Sequence, residues 1–241
     1  MILSVVVPTY GNFSSVQKFC FELNQSDFDS VEVVVVDGAC CPEMLMLADV
    51  FSNVSVVSEE DRGIYDAMNK GIERARGDWI TFFGDDDRFF SHHLLNSIFE
   101  RNLDGYDLVL GDAVYDNGRY FSSCFNHRML FKHTLCHQSV LYRRTVFETL
   151  RYSLDYRLAG DYHLNLRLLK LKANALYLKE PFSICGSDGL SSKGLYVGYF
   201  EEYSAVKTIY GWPASMVALL SGTMRFLIKK IRSLLRFKGH G

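Results

Sequence analysis

Three consecutive carboxylates, Asp85-Asp86-Asp87, follow the apolar run "WITFFG" with no base among them. Like charges at such spacing repel one another, and a bound divalent cation would cancel the repulsion. Carboxylate oxygens are hard ligands suited to Mg2+ or Mn2+, ions commonly held by one or two carboxylates together with substrate phosphates. A cation so held would stabilise the negative charge that grows on a diphosphate leaving group. Other polar residues recur at the ends of apolar runs. "PTYGN" closes the first run, Asp37 the second and "SEEDRG" the third. Asp37 can accept from the N–H of a base, and Arg62 can stack on or pair with a nucleotide. Arg62, Asp66 and Asn69, spaced four and three residues apart, share the polar face of one helix. Singly each signal is weak, because an Asp after a strand is usually a solvated cap and an acidic triplet is usually surface. Their arrival on one edge gives them weight.

The elements that position these residues are legible. "ILSVVVPT" and "VEVVVVDG" are continuous β-branched runs, the pattern of parallel strands covered on both faces. "FSSVQKFCFELNQ" and "PEMLMLADVF" read as helices, and "VSVVSE" as a third strand. "RGIYDAMNKGIERARG" sets Ile64, Ala67, Met68, Gly71, Ile72 and Ala75 on one helix face, and "DWITFFG" is a fourth strand. Alternating strands and helices predict right-handed crossovers and a doubly wound α/β sheet, with ligands beyond the carboxyl ends of its strands. After Asp87 the alternation loosens. "YDLVLGDAVYDNGRYF" reads as a strand with a hairpin at Asn117-Gly118, "HQSVLYRR" as a strand, "LAGDYHLNLRLLKLK" as a helix and "ANALYL" as a short last strand. His92 and His93 begin a helix, and His127 and His163 read as structural.

At 241 residues and 48% hydrophobic, the chain can bury a proper core in one large or two small domains. A net charge of −2 points to no nucleic acid or other polyanionic partner. None of the 28 acids lies beyond Glu202, whereas seven of the 26 bases do. Six cysteines without a CxxC pair read as reduced thiols. "MILSVVVPTYGN" lacks the features of a signal peptide, and no uncharged apolar stretch reaches the ~20 residues of a membrane-spanning helix. A cytoplasmic protein is expected.

"SVVVPTYGN", "VVVVDG", "EEDRGIYDAMNKGIERARGDWITFFGDDD", "CHQSVLYRR" and "LDYRLAGDYHLNLRL" resemble the consecutive motifs of family-two glycosyltransferases. The resemblance covers roughly residues 2–190 and is closest to bacterial members that build capsule, exopolysaccharide and lipopolysaccharide. It implies the GT-A fold, a Rossmann-like doubly wound mixed sheet, over residues 1–210. Residues 1–104 would be the nucleotide-sugar half and 105–210 the acceptor half. It implies an inverting hexosyl- or N-acetylhexosaminyltransferase that uses a nucleotide-diphosphate sugar (a UDP-sugar) and a glycan or polyprenyl-linked acceptor. Pro8, Thr9, Tyr10, Asp37 and Arg62 would contact the nucleotide, with Asp66, Asn69 and His137 near the donor. Asp85 and Asp87 would be the outer pair of a DXD-type motif binding Mn2+ or Mg2+, with Asp86 near the ribose or diphosphate. The motif often begins with Asn or Asp where Gly84 stands, so the choice among the three carboxylates stays open. Asp161 in "AGDYH" would be the base, with Asp155 second. An Asp in a helix's first turn is favoured as the carboxylate, and could accept the acceptor's proton. Where relatives carry a Gly/Ser/Asp-rich turn after the second strand, this chain has "DGACCPE".

Residues 211–241 form a basic amphipathic tail. Val217, Leu220, Met224, Leu227, Ile231 and Leu234 fall on one helical face, and Arg225, Lys229, Arg232 and Arg236 on another. Such a helix can lie on an anionic membrane, so residues 213–238 would bring the protein to the inner face of the cytoplasmic membrane. The alternative is a helix packed on the catalytic domain with its charges in solvent. Two further functional readings compete: a sugar-nucleotide nucleotidyltransferase, for which "PTYGNFSS" is a poor phosphate loop, and a non-catalytic nucleotide- or glycan-binding subunit.

Overall fold

The computed structural model describes residues 2–25, 30–187 and 196–238. Through the first half the expected alternation holds: β1 (Leu3–Thr9), α1 (Phe13–Asn24), β2 (Val31–Asp37), α2 (Pro42–Val50), β3 (Val54–Ser58), α3 (Ile64–Arg74) and β4 (Trp79–Phe82). Then come β5 (Arg88–Phe89), α4 (His92–Phe99), β6 (Leu108–Tyr115), β7 (Tyr120–Phe121), β8 (Val140–Arg143) and α5 (Val146–Thr149). α6 (Gly160–Lys170), β9 (Ala175–Cys185), α7 (Tyr196–Tyr210) and α8 (Trp212–Lys238) complete the chain, with 3-10 turns at His127–Leu130 and His137–Ser139.

The strands form one nine-stranded mixed sheet in the order β3-β2-β1-β4-β8-β6-β9-β5, with β7 paired to β6. β1, β2, β3 and β4 are parallel, and β8 runs antiparallel to both β4 and β6. β1 and β2 are buried along their whole length, as continuous β-branched runs require. Leu3, Val5, Val7, Val33 and Val35 face a core shared with Phe19 of α1, Met44 of α2 and Leu95 of α4. Fully burying each such side chain contributes about 1.5–3 kcal/mol. α3 packs against β1 and β2 from the opposite face, where a Cβ on Gly71 would overlap Val6. The hairpin turns at Gly118, whose φ is 79°. The last strand is longer than "ANALYL", because a register shift opposite Leu110–Ala113 lets β9 continue through Pro181.

The chain forms two compact units. The first comprises residues 1–123, 135–154 and 173–187 and holds the entire sheet. The second comprises 124–134, 155–172 and 188–241 and holds α6, α7 and α8. β6, β8 and β9 hydrogen-bond into the same sheet as β1–β4, and α8 packs on α7.

α8 meets α7 through a stripe that includes Gly222, which lies against Tyr199, and Phe226, whose ring packs edge-on to Tyr199. Arg225, read from the sequence as part of the basic stripe, pairs with Glu202 and lies over the Tyr199 ring. The apolar face read from the sequence is turned outward: Val217, Leu220, Met224, Leu227 and Ile231 are exposed, as is Trp212 at the helix start. The side chains of His92, Arg232, Leu234, Arg236 and Lys238 lie outside those described. Among the described residues, no helix is long and apolar enough to cross a membrane. All six cysteines are free thiols.

Candidate active site

In-register pairing brings Thr9, Asp37 and Ser58 side by side at the carboxyl ends of β1, β2 and β3. Asp37 is fully buried there, and its carboxylate is spent on the protein. Oδ1 accepts from the N–H of Gly11 (2.9 Å) and Ala39 (3.1 Å). Oδ2 accepts from the N–H of Cys41 (2.6 Å) and the Ser58 hydroxyl (3.3 Å). Asp37 thus ties three loops together, with both carboxylate oxygens engaged by the protein. Gly11 has φ 72°, a conformation that glycine adopts without strain and that its N–H bond to Asp37 accompanies. Pro8 is buried inside β1, so it shapes the strand end. Tyr10 is 79% exposed and free to meet a ligand.

The acidic loop leaves β4 beside this edge. Phe83 N–H still bonds Val6 O at 3.0 Å, and the Thr9 hydroxyl then donates to Asp85 Oδ2 at 3.0 Å. Asp87 is buried and closes the loop, accepting from Gly84 N–H (2.7 Å) and Gly186 N–H (3.2 Å). Asp86 is exposed. Its carboxylate lies in a cradle that a Cβ on Gly186 would fill. Partial desolvation, then the charges of Asp87, Asp85 and Asp116, raise the Asp86 pKa above the ordinary carboxylate value. Among the described residues, no three His, Cys, Asp or Glu side chains form a closed metal cage. An exposed carboxylate strained by its acidic neighbours, in a glycine cradle, nevertheless fits a hard cation shared with substrate phosphates.

Arg62, expected on the same helix as Asp66 and Asn69, lies in the loop two residues before α3; it is largely exposed and 3.7 Å from Asp66. Asp66 accepts the Arg62 N–H at 3.0 Å and lies 3.8 Å from Lys70, so it stabilises the helix start. Asn69 braces a loop. Its amide donates to Tyr152 O (2.9 Å) and accepts from Tyr152 N–H (3.0 Å), satisfying both backbone groups of a residue in the loop after α5. His137 is half-buried in the 3-10 turn that packs on β4, β6 and β9. The neighbouring Cys136 thiol is pushed up by its hydrogen bond to Cys185, by burial and, to a lesser degree, by the charge of Asp87.

Within the second unit, Asp161 is buried in the first turn of α6, with Oδ2 3.3 Å from His133 Nε2. The backbone leading into it is gripped by a buried carboxylate. Glu201 of α7 accepts the N–H groups of Arg157 (3.0 Å), Leu158 (2.8 Å) and Ala159 (2.9 Å). Asp155 is exposed. His163 stacks on Tyr156 at 4.8 Å, and burial, aided by Arg167, pulls its pKa down to about 4, in keeping with a structural role. Sequence reasoning missed His133 and Glu201, which reach their partners across 28 and 42–44 residues with no motif to link them. It also missed Gly186, which shares with Asp86 and Asp87 only spatial proximity.

A mixed sheet with its polar residues gathered at the carboxyl ends of β1–β4 defines a GT-A-type protein. The chain belongs to glycosyl transferase family 2, whose model matches residues 4–176, and it is therefore a glycosyltransferase. It is 33% identical over 177 residues to a PGL/p-HBAD biosynthesis glycosyltransferase of Mycobacterium tuberculosis, which covers 69% of each chain. TarS of S. aureus, solved with UDP-GlcNAc, superposes with a TM-score of 0.68 at 21% identity, over 87% of this chain and 65% of that one. The chain thus spans slightly less than two thirds of that TarS structure. The mannosyltransferase PcManGT of Pyrobaculum calidifontis, solved with GDP-Man and Mn2+, superposes with a TM-score of 0.60 at 16% identity, over 98% of this chain and 79% of that one.

Proposed function

We propose that this glycosyltransferase moves a hexosyl or N-acetylhexosaminyl group from a UDP-sugar to a glycan or polyprenyl-linked acceptor, with inversion, in bacterial surface polysaccharide synthesis. The observation that carries the reading is the exposed Asp86 carboxylate, set in the Gly186 cradle between two neighbours already bonded to the protein. Asp86, with Asp85 beside it, would hold Mn2+ or Mg2+. Asp87, first read as a ligand, is reassigned to closing the loop. The cation would supply positive charge to the departing diphosphate. Tyr10 and Arg62, both exposed, contact the nucleotide. Thr9 holds Asp85 in place, and His137 serves as a donor to a phosphate or acceptor oxygen. Asp161 accepts the proton of the acceptor hydroxyl as that oxygen bonds to the anomeric carbon. The bond from that carbon to the diphosphate breaks with its electron pair leaving on oxygen, and the centre inverts.

The outward apolar face of α8 supports a peripheral seat on an anionic membrane. Lys229 and Lys230 lie on the same helix, and no acid follows Glu202. Each base near such a surface adds about 1 kcal/mol. Leu220→Glu with Met224→Glu, at two exposed positions, should abolish sedimentation with phosphatidylglycerol vesicles. Unchanged sedimentation would remove the membrane from the proposal.

Catalysis is tested by incubating the full chain with Mn2+ and UDP-sugars and following UDP release. Asp86→Ala should slow release about 100-fold or more. A rate equal to the wild type's would contradict the assignment.

A further inference from the structure

The buried Asp37 leaves open which residue recognises the base. Every oxygen of its carboxylate already accepts from the protein, and the next residue, Gly38, has no side chain. The space where a side chain of residue 38 would stand is filled from the neighbouring loop. A Cβ built on Gly38 would overlap the carboxylate of Asp61, meeting Oδ2 first.

The geometry points to Asp61 as the residue that reads the nucleobase, and to uracil as the base it reads. The inference rests on the nucleotide-sugar reading above and deepens it.

Asp61 is held in place. Its Oδ1 accepts the Gly63 N–H at 2.8 Å, which fixes the carboxylate's orientation. Gly63 has φ 119°, so the turn that presents this N–H depends on glycine's conformational freedom. Lys70 braces the same loop, donating to Glu60 O at 2.5 Å and pairing with Glu59 at 3.0 Å. Glu59 N–H bonds Asp37 O at 3.1 Å, which ties the loop to the end of β2. Asp61 Oδ2 remains, half-buried and without a hydrogen-bond partner among the described residues.

The position suits a base. Gly38 N–H bonds Thr9 O at 3.1 Å, and Thr9 in turn holds Asp85. Asp61 over β2 and the acidic loop after β4 therefore flank the Thr9–Gly11 segment of β1. Two strand spacings of about 4.8 Å separate them, roughly 10 Å in all, a span that a nucleoside diphosphate can bridge from base to phosphate. Tyr10 stands exposed between the two.

The chemistry selects the base. An ionised carboxylate only accepts hydrogen bonds. Uracil presents one imino N–H, matching the one free oxygen. Cytosine and adenine set an exocyclic N–H beside a ring-nitrogen lone pair at the equivalent edge, so a carboxylate that accepts the one is repelled by the other. Guanine presents two adjacent donors, one more than the single free oxygen matches.

The test is calorimetric titration of the full chain in Mn2+ with UDP, CDP, GDP and inorganic pyrophosphate. Wild type should prefer UDP over CDP and GDP. Asp61→Ala should weaken UDP about 10- to 100-fold and leave pyrophosphate unchanged. Gly38→Ala should do the same, because its Cβ displaces the Asp61 carboxylate. Wild-type UDP affinity in both variants would overturn the inference and leave the donor reading standing. So would an equal loss of pyrophosphate binding, or a wild-type preference for another base. Failure of wild type to bind any nucleoside diphosphate would overturn both.

Discussion

The carboxylate of Glu201 accepts the backbone N–H of Ala159 at 2.9 Å, two residues before Asp161. Helix α7 thereby fixes the entry to the helix that carries the proposed base. Removing this carboxylate leaves the N–H groups of Arg157, Leu158 and Ala159 without their acceptor. Each buried donor left unsatisfied costs about 1–3 kcal/mol. Glu201→Ala should therefore lower stability by roughly 2–4 kcal/mol in urea unfolding. It should lower kcat with little change in the donor's KM. Glu201→Gln keeps one acceptor oxygen and should recover part of both. A kcat equal to the wild type's in Glu201→Ala would show that the grip does not position Asp161.

Asp86 and Asp87 are adjacent yet should respond oppositely to substitution. Asp87 closes its loop through two backbone N–H groups, so Asp87→Ala should cost about 2 kcal/mol or more of stability. Asp86→Asn removes a carboxylate crowded by like charges, and should leave the melting temperature unchanged or slightly raised while abolishing Mn2+-dependent nucleotide binding. Thermal melts of the two variants side by side decide the matter. A melting temperature that falls in Asp86→Asn and not in Asp87→Ala would reverse the assignment.

Stability should also fall in mild acid because of His163. Its pKa is about 4 in the folded chain, against about 6.5 when unfolded. Burial is the main cause, Arg167 adds to it and Asp155 opposes it, and Nδ1 has no hydrogen-bond partner among the described residues. Between these two values the unfolded state binds the proton and the folded state does not. Stability is therefore fully present above pH 6.5 and declines as pH falls toward 4, by roughly 2 kcal/mol between pH 7.5 and 5. His163→Phe should flatten this part of the profile, measured by urea midpoints across the range. An unchanged slope would assign the acid sensitivity to other groups.

Asn69 gives a simple discrimination between a ligand contact and a brace. Both ends of its amide serve Tyr152, so Asn69→Ala should destabilise the chain by about 1–3 kcal/mol. UDP affinity of the folded fraction should stay within about twofold. A large loss of affinity with normal stability would return Asn69 to the donor site.

Much of the sheet could be read directly. The runs at 2–9 and 31–38 are too apolar and β-branched to be anything but doubly covered strands, and they deliver Thr9 and Asp37 to the edge where β4 delivers the acidic triplet. What escaped was how those residues are spent. Asp37 looks like a ligand contact in sequence, but its four acceptor bonds come from Gly11, Ala39, Cys41 and Ser58, whose convergence is a tertiary fact. Asp87 is a loop clamp only because Gly186, 99 residues away, donates to it. α7 was missed because "YVGYFEEYSAVKTIY" is apolar on several sides and shows no clean stripe, and with it went Glu201. The outward apolar face of α8 was visible as a face. That the helix would pack by its Gly222 stripe instead was not.

Uptake of Mn2+ with UDP by the full chain, compared with Asp86→Asn, goes to the centre of the account. Calorimetry should record one ion per chain bound together with UDP in the wild type, and none in the variant at the same concentrations. Equal uptake by both proteins, or none by the wild type, would contradict it.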